Sequence, residues 1–269
     1  MTEIIDRLVE TLSAGQAAAL ATVIEPDTLV GRKLVVWADR PSLGDLGADW
    51  LNDTLTLQGR QLLAASQPAS VRSFPVTDEQ ARELSLGRAT EIRVFLECMQ
   101  GPPTMLIVGA GHLAQPLSHM AKMLGFVVAV LDDRASFANR QRFPDADQII
   151  VGYYAEELAR FPITGSTYIV LMSRGHVQDE RALRAVICSD AAYIGMIGSR
   201  RRVGAILRRL LEEGVPPQLV ERVCSPIGVE IGAESPEEIA ISILAEIITV
   251  RRKGSRHVSS LSATRPSRL

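Results

Sequence analysis

The stretch Thr104-Met-Leu-Ile-Val-Gly-Ala-Gly-His-Leu-Ala114 decides the fold of this 269-residue chain. Its apolar beginning is typical of a buried parallel strand, and the pattern Gly109-x-Gly111-x-x-Ala114 follows at once. Glycines at such a turn let the backbone approach a pyrophosphate, and a helix that begins near His112 presents free N–H groups to the anion. The pattern therefore predicts a dinucleotide-binding turn, with His112 and the three motif residues as ligand-binding positions.

An acidic cluster follows a second apolar run at the interval that such a turn requires. Residues 126–131 are predicted to be the next strand, and Asp132-Asp133-Arg134 begins 21 residues past Gly111. An acid in this position is placed to hydrogen-bond ribose hydroxyls, so Asp132 and Asp133 are predicted to contact a nucleotide. The acid favours NAD, whereas Arg134 leaves room for the 2′-phosphate of NADP. The alternative is a Rossmann-type turn that has kept its geometry and lost its nucleotide.

Composition and charge exclude several classes of protein. The chain has 29 Lys and Arg against 31 Asp and Glu, and its net charge of -2 argues against nucleic acid as the main partner. No apolar run approaches the roughly 20 residues of a membrane span, and the N-terminus lacks the pattern of a secretory signal. The three cysteines are far apart and match no zinc pattern, so no metal site is predicted. We expect a soluble, cytoplasmic protein.

Gly101-Pro102-Pro103 marks the expected domain boundary, because two prolines stop both helix and sheet. Residues 1–100 are predicted to form a smaller α+β domain. Its candidate elements are helices over 2–12 and 50–65 and strands over 17–25, 33–38 and 91–97. Residues 101–253 are predicted to form the cofactor-binding domain, and the basic, Ser-rich residues 254–269 a disordered tail.

Predicted strands and helices alternate throughout the second domain. Its candidate strands are 104–108, 126–131, 147–151, 167–172 and 192–197. This alternation predicts an α/β fold, a Rossmann-like doubly wound parallel sheet with helices on both faces. Near the end, Ser235-Pro-Glu-Glu238 precedes a long apolar helix over 239–250. Serine and glutamate at this spacing, with proline at the first helical position, predict a capping box.

Two further loops are predicted to lie at the carboxyl edge of this sheet, where ligands of such folds gather. After the fifth strand, Gly198, Ser199 and Arg200 combine backbone N–H groups with a guanidinium, which suits phosphate or pterin binding. A solvated helix face is the alternative. After the fourth strand, His176 is a candidate proton relay that Asp179 would orient, so this pair is the predicted catalytic site. Asp179 also suits the first turn of the next helix, where negative charge is favoured.

Several motifs, in order along the chain, resemble the XdhC/CoxI family. They are Gly109-Ala-Gly-His-Leu-Ala-Gln-Pro-Leu117, Val130-Leu-Asp-Asp-Arg134, Phe137-Ala-Asn139 through Arg142-Phe-Pro-Asp-Ala-Asp147, Tyr193-Ile-Gly-Met-Ile-Gly-Ser-Arg200, and Pro226-Ile-Gly228 through Ser235-Pro-Glu-Glu-Ile-Ala240. The resemblance covers about Val94 to Arg252. It implies a Rossmann-like C-terminal domain and a tendency to form a homodimer.

The resemblance also implies a function. Family members are accessory proteins for molybdenum hydroxylases such as xanthine dehydrogenase. The implied role is that of a chaperone, which binds molybdenum cofactor, promotes its sulfuration by a partner cysteine desulfurase, and delivers it to the apo-enzyme.

The N-terminal half departs from the family pattern at three places. The family usually carries Gly-Ser-x-Pro-Arg after the first strand, where this chain has Glu25-Pro-Asp-Thr-Leu-Val-Gly-Arg32. Leu43-Gly-Asp-Leu-Gly-Ala-Asp49 stands in place of Gly-Gly-Cys, and Leu86-Gly-Arg-Ala-Thr90 in place of a frequent Cys-Gly-Gly. Cysteines are the natural soft ligands for molybdenum or a cofactor sulfur, so no cysteine ligand is predicted here.

Three functional hypotheses remain. The first is a non-enzymatic accessory protein for maturation of a molybdenum hydroxylase. The rival is an NAD(P)-dependent oxidoreductase that uses the glycine turn and Asp132. The third is a regulatory or scaffolding paralogue without a ligand, which the missing N-terminal motifs favour. The fold alone does not choose among them, because Rossmann scaffolds host many functions.

Overall fold

The computed structural model describes residues 2–65, 69–86, 91–173 and 175–253. The chain divides into two units between Gly101 and Pro102. The predicted basic tail, residues 254–269, lies outside the described residues. Within the described part of the chain, no helix is long and apolar enough to cross a membrane.

The first unit is built on a five-stranded antiparallel sheet. Its helices are α1 (Thr2–Ser13), α2 (Asp49–Ala65) and α3 (Asp78–Glu83). Its strands are β1 (Ala17–Glu25), β2 (Lys33–Val36), β3 (Leu43–Gly44), β4 (Ser70–Pro75) and β5 (Glu91–Gln100). The strands lie side by side in the order β3-β2-β1-β5-β4.

Helices cover both faces of this sheet, which explains the nearly continuous apolar sequence of β1. Ala19 and Ala21 share one core with α2, whereas Ala18 and Leu20 share another with Leu8 of α1. Successive side chains of a strand point to opposite faces, so a strand covered on both sides buries almost every residue.

The second unit is a six-stranded parallel sheet with helices on both faces. Its strands are β6 (Thr104–Val108), β7 (Val127–Asp132), β8 (Gln148–Val151), β9 (Thr167–Leu171), β10 (Tyr193–Met196) and β11 (Val223–Cys224). Its helices are α4 (Ala114–Met123), α5 (Tyr154–Arg160), α6 (His176–Val186), α7 (Arg200–Glu212), α8 (Pro217–Glu221) and α9 (Pro236–Lys253). The predicted doubly wound parallel sheet is confirmed.

The strand order of this sheet is β11-β10-β9-β6-β7-β8. The chain runs from β6 to β7 and β8 on one side, then returns to β9, β10 and β11 on the other. This is the order of dinucleotide-binding Rossmann folds, and its direction reverses between β6 and β9. The glycine turn that follows β6 therefore lies at the switch point, where such sheets bind ligands.

Alternate residues of the central strands enter two separate cores. Met105 and Ile107 of β6 pack with residues of α4 and α9, whereas Leu106 and Val108 pack with residues of α5, α6 and α7. The crossover from β7 to β8, residues 133–147, is built from turns and contains no helix. This crossover sends Ala138, Phe143 and Ala146 into the first of the two cores.

The predicted capping box at the start of α9 is present. Ser235 Oγ accepts the backbone N–H of Glu238 at 3.3 Å, and Glu238 Oε2 accepts the N–H of Ser235 at 3.1 Å. The same carboxylate accepts the N–H of Glu234 at 2.8 Å, and these backbone hydrogen bonds lower the pKa of Glu238. The cap matters to the fold because α9 supplies Ile243, Ile247 and other apolar residues to the core beside α4.

Loss of the cap is expected to weaken the second unit. Ser235→Ala removes the acceptor for one free N–H of α9 and should lower the free energy of unfolding by about 1 kcal/mol. Ser235→Thr keeps a hydroxyl and serves as the matched control. Urea denaturation of the three proteins measures the effect, and equal stability of Ser235→Ala and the wild type would contradict it.

Candidate functional site

Gly109 is required by the fold itself. Its φ is +106°, a conformation that L side chains rarely adopt, and a Cβ there would lie 2.6 Å from the carbonyl oxygen of Met172. Its N–H donates to Leu131 O at 2.7 Å, and the N–H of Met172 donates to Val108 O at 2.8 Å. The glycine thus lets the turn after β6 lie against the segment that follows β9.

Gly111 has a different environment. Its φ lies outside the left-handed region, and a Cβ built there would meet no atom within 4 Å. Neither the backbone nor the neighbouring atoms require a glycine here, and the missing side chain leaves the backbone of the turn accessible. The helix behind it, α4, has Leu113 at its N-cap, which makes no side-chain capping hydrogen bond. The turn therefore offers open space next to an uncapped helix N-terminus, an arrangement suited to a phosphate group.

The other two predicted residues of this turn differ in exposure. His112 is exposed and Ala114 is fully buried, where it packs in the core between α4 and the sheet. Ala114 therefore supports close packing of the helix, and His112 is the side chain of this turn that a ligand can reach.

Asp132, at the end of β7, is fully buried and holds the glycine turn. Its Oδ2 accepts the N–H of Ala110 at 2.7 Å and Nη2 of Arg134 at 2.9 Å. Its Oδ1 accepts the backbone N–H of Arg134 at 3.0 Å and the Nε of the same residue at 2.8 Å. Burial by itself raises the pKa of Asp132, but the hydrogen bonds from Arg134 and Ala110 outweigh it and hold the pKa below its ordinary value.

A cationic and aromatic cluster lies beside this carboxylate. The guanidinium carbon of Arg134 lies 3.7 Å from the centre of the Phe137 ring, and that of Arg142 lies 4.8 Å from the same ring. Arg142 Nη2 also donates to Ala110 O at 3.2 Å. Asp133 is exposed, with its carboxylate 3.6 Å from Arg134 Nε.

Phe137 and Arg142 belong to a family motif, but the sequence pattern predicted no role for either residue. No local signal places them at the glycine turn, because they reach it only through the helix-free crossover between β7 and β8.

Of the predicted catalytic pair His176 and Asp179, the structure describes the side chain of Asp179. Asp179 lies in the first turn of α6 with its side chain 2% exposed. It accepts hydrogen bonds from Ser173 Oγ and Arg202 Nη2, so it joins the loop after β9 to the start of α7. The side chain of His176 lies outside the described residues, and its proposed orientation by Asp179 stays a prediction.

The segment after β10 leads to two exposed arginines at the start of α7, Arg200 and Arg201. Ser199 is the N-cap of α7, and its hydroxyl accepts the N–H of Arg202 at 3.3 Å. Gly198 packs close to Val203, where a Cβ would lie 2.9 Å from Cγ2. Arg200 is exposed and lines a cavity of about 310 Å³ together with residues 226–233. Anion binding by Arg200 therefore stays a prediction, whereas Ser199 already has a structural role.

Cys224 belongs to a buried polar cluster with Tyr193 and Glu246. Tyr193 Oη donates to Glu246 Oε2 at 3.0 Å, and the N–H of Gly228 donates to the same oxygen. Burial and the neighbouring Glu246 raise the pKa of the Cys224 thiol to about 12, so it stays protonated at neutral pH. Among the described residues, no group of three or more His, Cys, Asp and Glu side chains is arranged to hold a metal ion.

The N-terminal stretches that depart from the family pattern have their own polar contacts. Asp45, beside β3, accepts the N–H of Gly47 at 2.8 Å and Nδ2 of Asn52 at 3.0 Å. The bonds from Asn52 and Gly47 lower the pKa of Asp45. Residues 87–90, in the third divergent stretch, lie outside the described residues. The loop of the second divergent stretch is thus held by hydrogen bonds from Asn52 and Gly47 to Asp45.

The fold and the glycine turn define an antiparallel α+β unit followed by a Rossmann-like unit with its turn at the switch point. Residues 105–247 match the XdhC Rossmann domain, and residues 11–75 match the XdhC and CoxI family. The chain therefore belongs to the XdhC/CoxI family.

Two curated relatives and one solved structure resemble the chain. The protein YqeB of Escherichia coli K12, described as uncharacterised, is 28% identical over 221 residues, which are 81% of this chain and 40% of YqeB. A protein of Bacillus subtilis, described as a probable xanthine dehydrogenase subunit, is 33% identical over 160 residues, which are 60% of this chain and 46% of that protein. The chain thus spans less than half the length of these relatives.

The solved structure is described as a xanthine dehydrogenase from Bacillus halodurans. It superposes with a TM-score of 0.68 and 26% sequence identity. The match covers 98% of this chain and 71% of that one, so the likeness extends over both units.

The two glycines of the turn are expected to respond differently to alanine. Gly109→Ala should lower the free energy of unfolding by about 1 to 3 kcal/mol, because the new Cβ combines a strained φ with a clash against Met172. Gly111→Ala should stay within about 0.5 kcal/mol of the wild type, because its Cβ enters open space. Urea denaturation compares the pair, and equal effects of the two substitutions would be inconsistent with this geometry.

Asp132 makes the stability of the second unit depend on acid pH. Because its pKa is lower in the folded protein than in the unfolded chain, the unfolded chain takes up the proton first as the pH falls. Its contribution to stability is complete above the unfolded pKa of about 3.9 and is lost as the pH falls through the folded pKa.

Asp132→Asn should therefore be less stable than the wild type at pH 7, and the difference should shrink when both are measured at pH 3. Urea denaturation at the two pH values measures it. Asp133→Asn is the matched control, because its exposed carboxylate holds no part of the turn. A stability difference for Asp132→Asn that does not change with pH would refute this role.

Proposed function

We propose that this chain is an accessory protein in the maturation of a molybdenum hydroxylase of the xanthine dehydrogenase type. It binds the molybdenum cofactor, presents it to a cysteine desulfurase for sulfuration, and passes it to the apo-enzyme. The observation that carries the proposal is the presence of both family regions in order on one chain, over residues 11–75 and 105–247. The likeness to relatives described as xanthine dehydrogenase components supports the choice of client.

The glycine turn supports a cofactor that carries phosphate. Gly111 leaves open space in front of α4, and the N-cap residue of that helix uses no side chain to cap it. Backbone N–H groups at such a position are donors, which suit an anion and do not coordinate a metal ion. We therefore propose that the protein holds the organic part of the cofactor through its phosphate. Molybdenum would then keep positions free for the incoming sulfur. Homodimerisation, which the family resemblance implies, is part of the same proposal.

A second candidate function is an NAD(P)-dependent oxidoreductase. The observation that favours it is the position of the glycine turn at the switch point of a sheet with dinucleotide-binding strand order. The predicted acid–base pair gives it little support, because Asp179 is buried against Ser173 and Arg202. The accessory role is therefore the better supported of the two.

The bound ligand of the purified protein distinguishes these functions. The protein is isolated from a host that makes molybdenum cofactor, denatured and oxidised, and its extract is examined for pterin fluorescence and for nicotinamide nucleotide. Pterin in stoichiometric amount is the expected result. Nicotinamide nucleotide without pterin would favour the oxidoreductase. Neither ligand, together with normal hydroxylase activity in a strain that lacks the gene, would overturn the accessory role.

Gly111→Val is expected to impair the accessory function strongly without unfolding the protein. The added side chain fills the open space beside the turn, so the phosphate of the cofactor no longer reaches the backbone N–H groups. Co-purified pterin and restored hydroxylase activity in the deletion strain should each fall about tenfold or more, since removal of charged hydrogen bonds has this effect on affinity. Gly165→Val is the matched control, because Gly165 also borders open space but lies in the loop before β9.

A further inference from the structure

We propose that the cleft beside the glycine turn selects a ligand with a phosphate monoester over one that offers only a ribose diol, and that Arg134 and Arg142 make this selection. The inference concerns the cleft itself and goes beyond the accessory function, since it would hold for any ligand of this chemistry.

The first argument is that Asp132 has no acceptor left for a ribose. A carboxylate offers about four lone-pair positions. Ala110 and Arg134 fill four of them with bonds of 2.7 to 3.0 Å, and the side chain has no exposed surface. A ribose diol that binds to this acid must displace two guanidinium hydrogen bonds from it. The acid at the end of β7 therefore holds the turn and is closed to sugar hydroxyls.

The second argument is that a guanidinium occupies the outer side of this acid. Arg134 lies over Phe137 and turns Nε and Nη2 towards Asp132, and its side chain remains 28% exposed. Among the described residues, nothing accepts a hydrogen bond from its Nη1. A ligand at the end of β7 would thus meet the guanidinium of Arg134, which is held in place and has Nη1 free to donate. The exposed Asp133 also lies near this cation, with its carboxylate 3.6 Å from Nε.

The third argument is that Arg142 carries a charge that the described residues do not neutralise. Its Nη2 donates to Ala110 O, and it forms no salt bridge within the described part of the chain. Its Nε is buried without a hydrogen-bond partner. The charge of Arg142 is therefore balanced by neutral acceptors alone among the described residues, Ala110 O and Gln115 Oε1. Arg142 also borders a cavity of about 500 Å³ beside α4, from which an anion could reach its guanidinium.

The two guanidinium groups share one neighbour, the ring of Phe137, and both are linked to Ala110 between the glycines of the turn. Arg142 reaches its carbonyl directly, and Arg134 reaches its N–H through Asp132. Guanidinium groups bind phosphate with paired, charge-assisted hydrogen bonds, which favours a dianionic phosphate monoester over neutral hydroxyls. Two ligands carry such a group: a dinucleotide with a 2′-phosphate, and a pterin cofactor that ends in a phosphate. The shared chemistry is the phosphate monoester.

Matched ligand pairs test the preference. Isothermal titration calorimetry compares NADP with NAD, which differ only in the 2′-phosphate. A second pair is the fluorescent pterin phosphate that oxidation of the cofactor yields, before and after treatment with alkaline phosphatase. The phosphorylated member of at least one pair should bind about tenfold more tightly or better, because it gains charge-assisted hydrogen bonds.

Two variants and a control assign the preference to the arginines. Arg134→Ala removes one cation and frees two acceptor positions on Asp132. It should weaken NADP about tenfold and strengthen NAD, whereas a merely structural defect weakens both. Arg142→Gln removes a cation that is not paired with a carboxylate of the described residues, and the glutamine keeps a donor for Ala110 O. It therefore tests the loss of phosphate preference even if Arg134→Ala does not fold. Arg208→Gln on α7 is the matched control, since Arg208 is exposed and far along the chain from the turn.

The outcomes separate this inference from the proposed function. Preference for NADP alone supports the inference with a dinucleotide as the ligand, even if the gene proves dispensable for hydroxylase maturation. Preference for the pterin phosphate alone supports it with the cofactor as the ligand. Equal affinity within both pairs, or a preference that survives Arg142→Gln and Arg134→Ala, overturns it. Co-purified pterin without a phosphate preference would uphold the accessory role and overturn this inference.

Discussion

The hydrogen bonds of Asp132 are the interaction on which the ligand edge of the second unit depends. One buried carboxylate joins the end of β7 to the turn after β6 through the N–H of Ala110. The same carboxylate fixes Arg134, which packs on Phe137 and so holds the crossover to β8 against the turn. Transfer of a carboxylate from water to the protein interior costs free energy, and four N–H donors to Asp132 compensate that cost. The position of the turn and of Arg134 follows from this arrangement.

This arrangement changes what the glycine motif means for function. In a dinucleotide-binding protein the acid after the second strand serves the ribose. Here the acid accepts hydrogen bonds from Ala110 and Arg134, and the guanidinium groups of Arg134 and Arg142 lie against Phe137 nearby. The proposed anion-binding cleft suits a protein that carries a phosphorylated cofactor. It gives less support to one that transfers hydride, because Asp179 already accepts hydrogen bonds from Ser173 and Arg202.

The fold was largely predictable because its strands carry strong local signals. Apolar runs such as 104–108 and 167–171 are buried on both faces, and the predicted parallel sheet rests on them. The weaker elements escaped prediction. β4 (Ser70–Pro75) is an edge strand whose residues alternate between half-buried and exposed, and β11 has only two residues. Whether such segments form strands depends on the neighbouring strands with which they pair, so their own residues do not predict it well. The crossover after β7 contains no helix, and the alternation of strands and helices in the sequence did not predict this.

The amino-acid sequence alone indicated the family, the doubly wound sheet, the glycine turn and the capping box of α9, because each of the motifs and apolar runs behind them consists of residues close together along the chain. Only the tertiary structure decided what the side chains at the turn do. Asp132 and Ala110 are 22 residues apart, and Arg142 and Ala110 are 32 apart, so no local pattern records that they meet. Whether a carboxylate faces a ligand or a neighbouring guanidinium depends on how the crossover packs. That packing is a property of the folded core and not of any short segment.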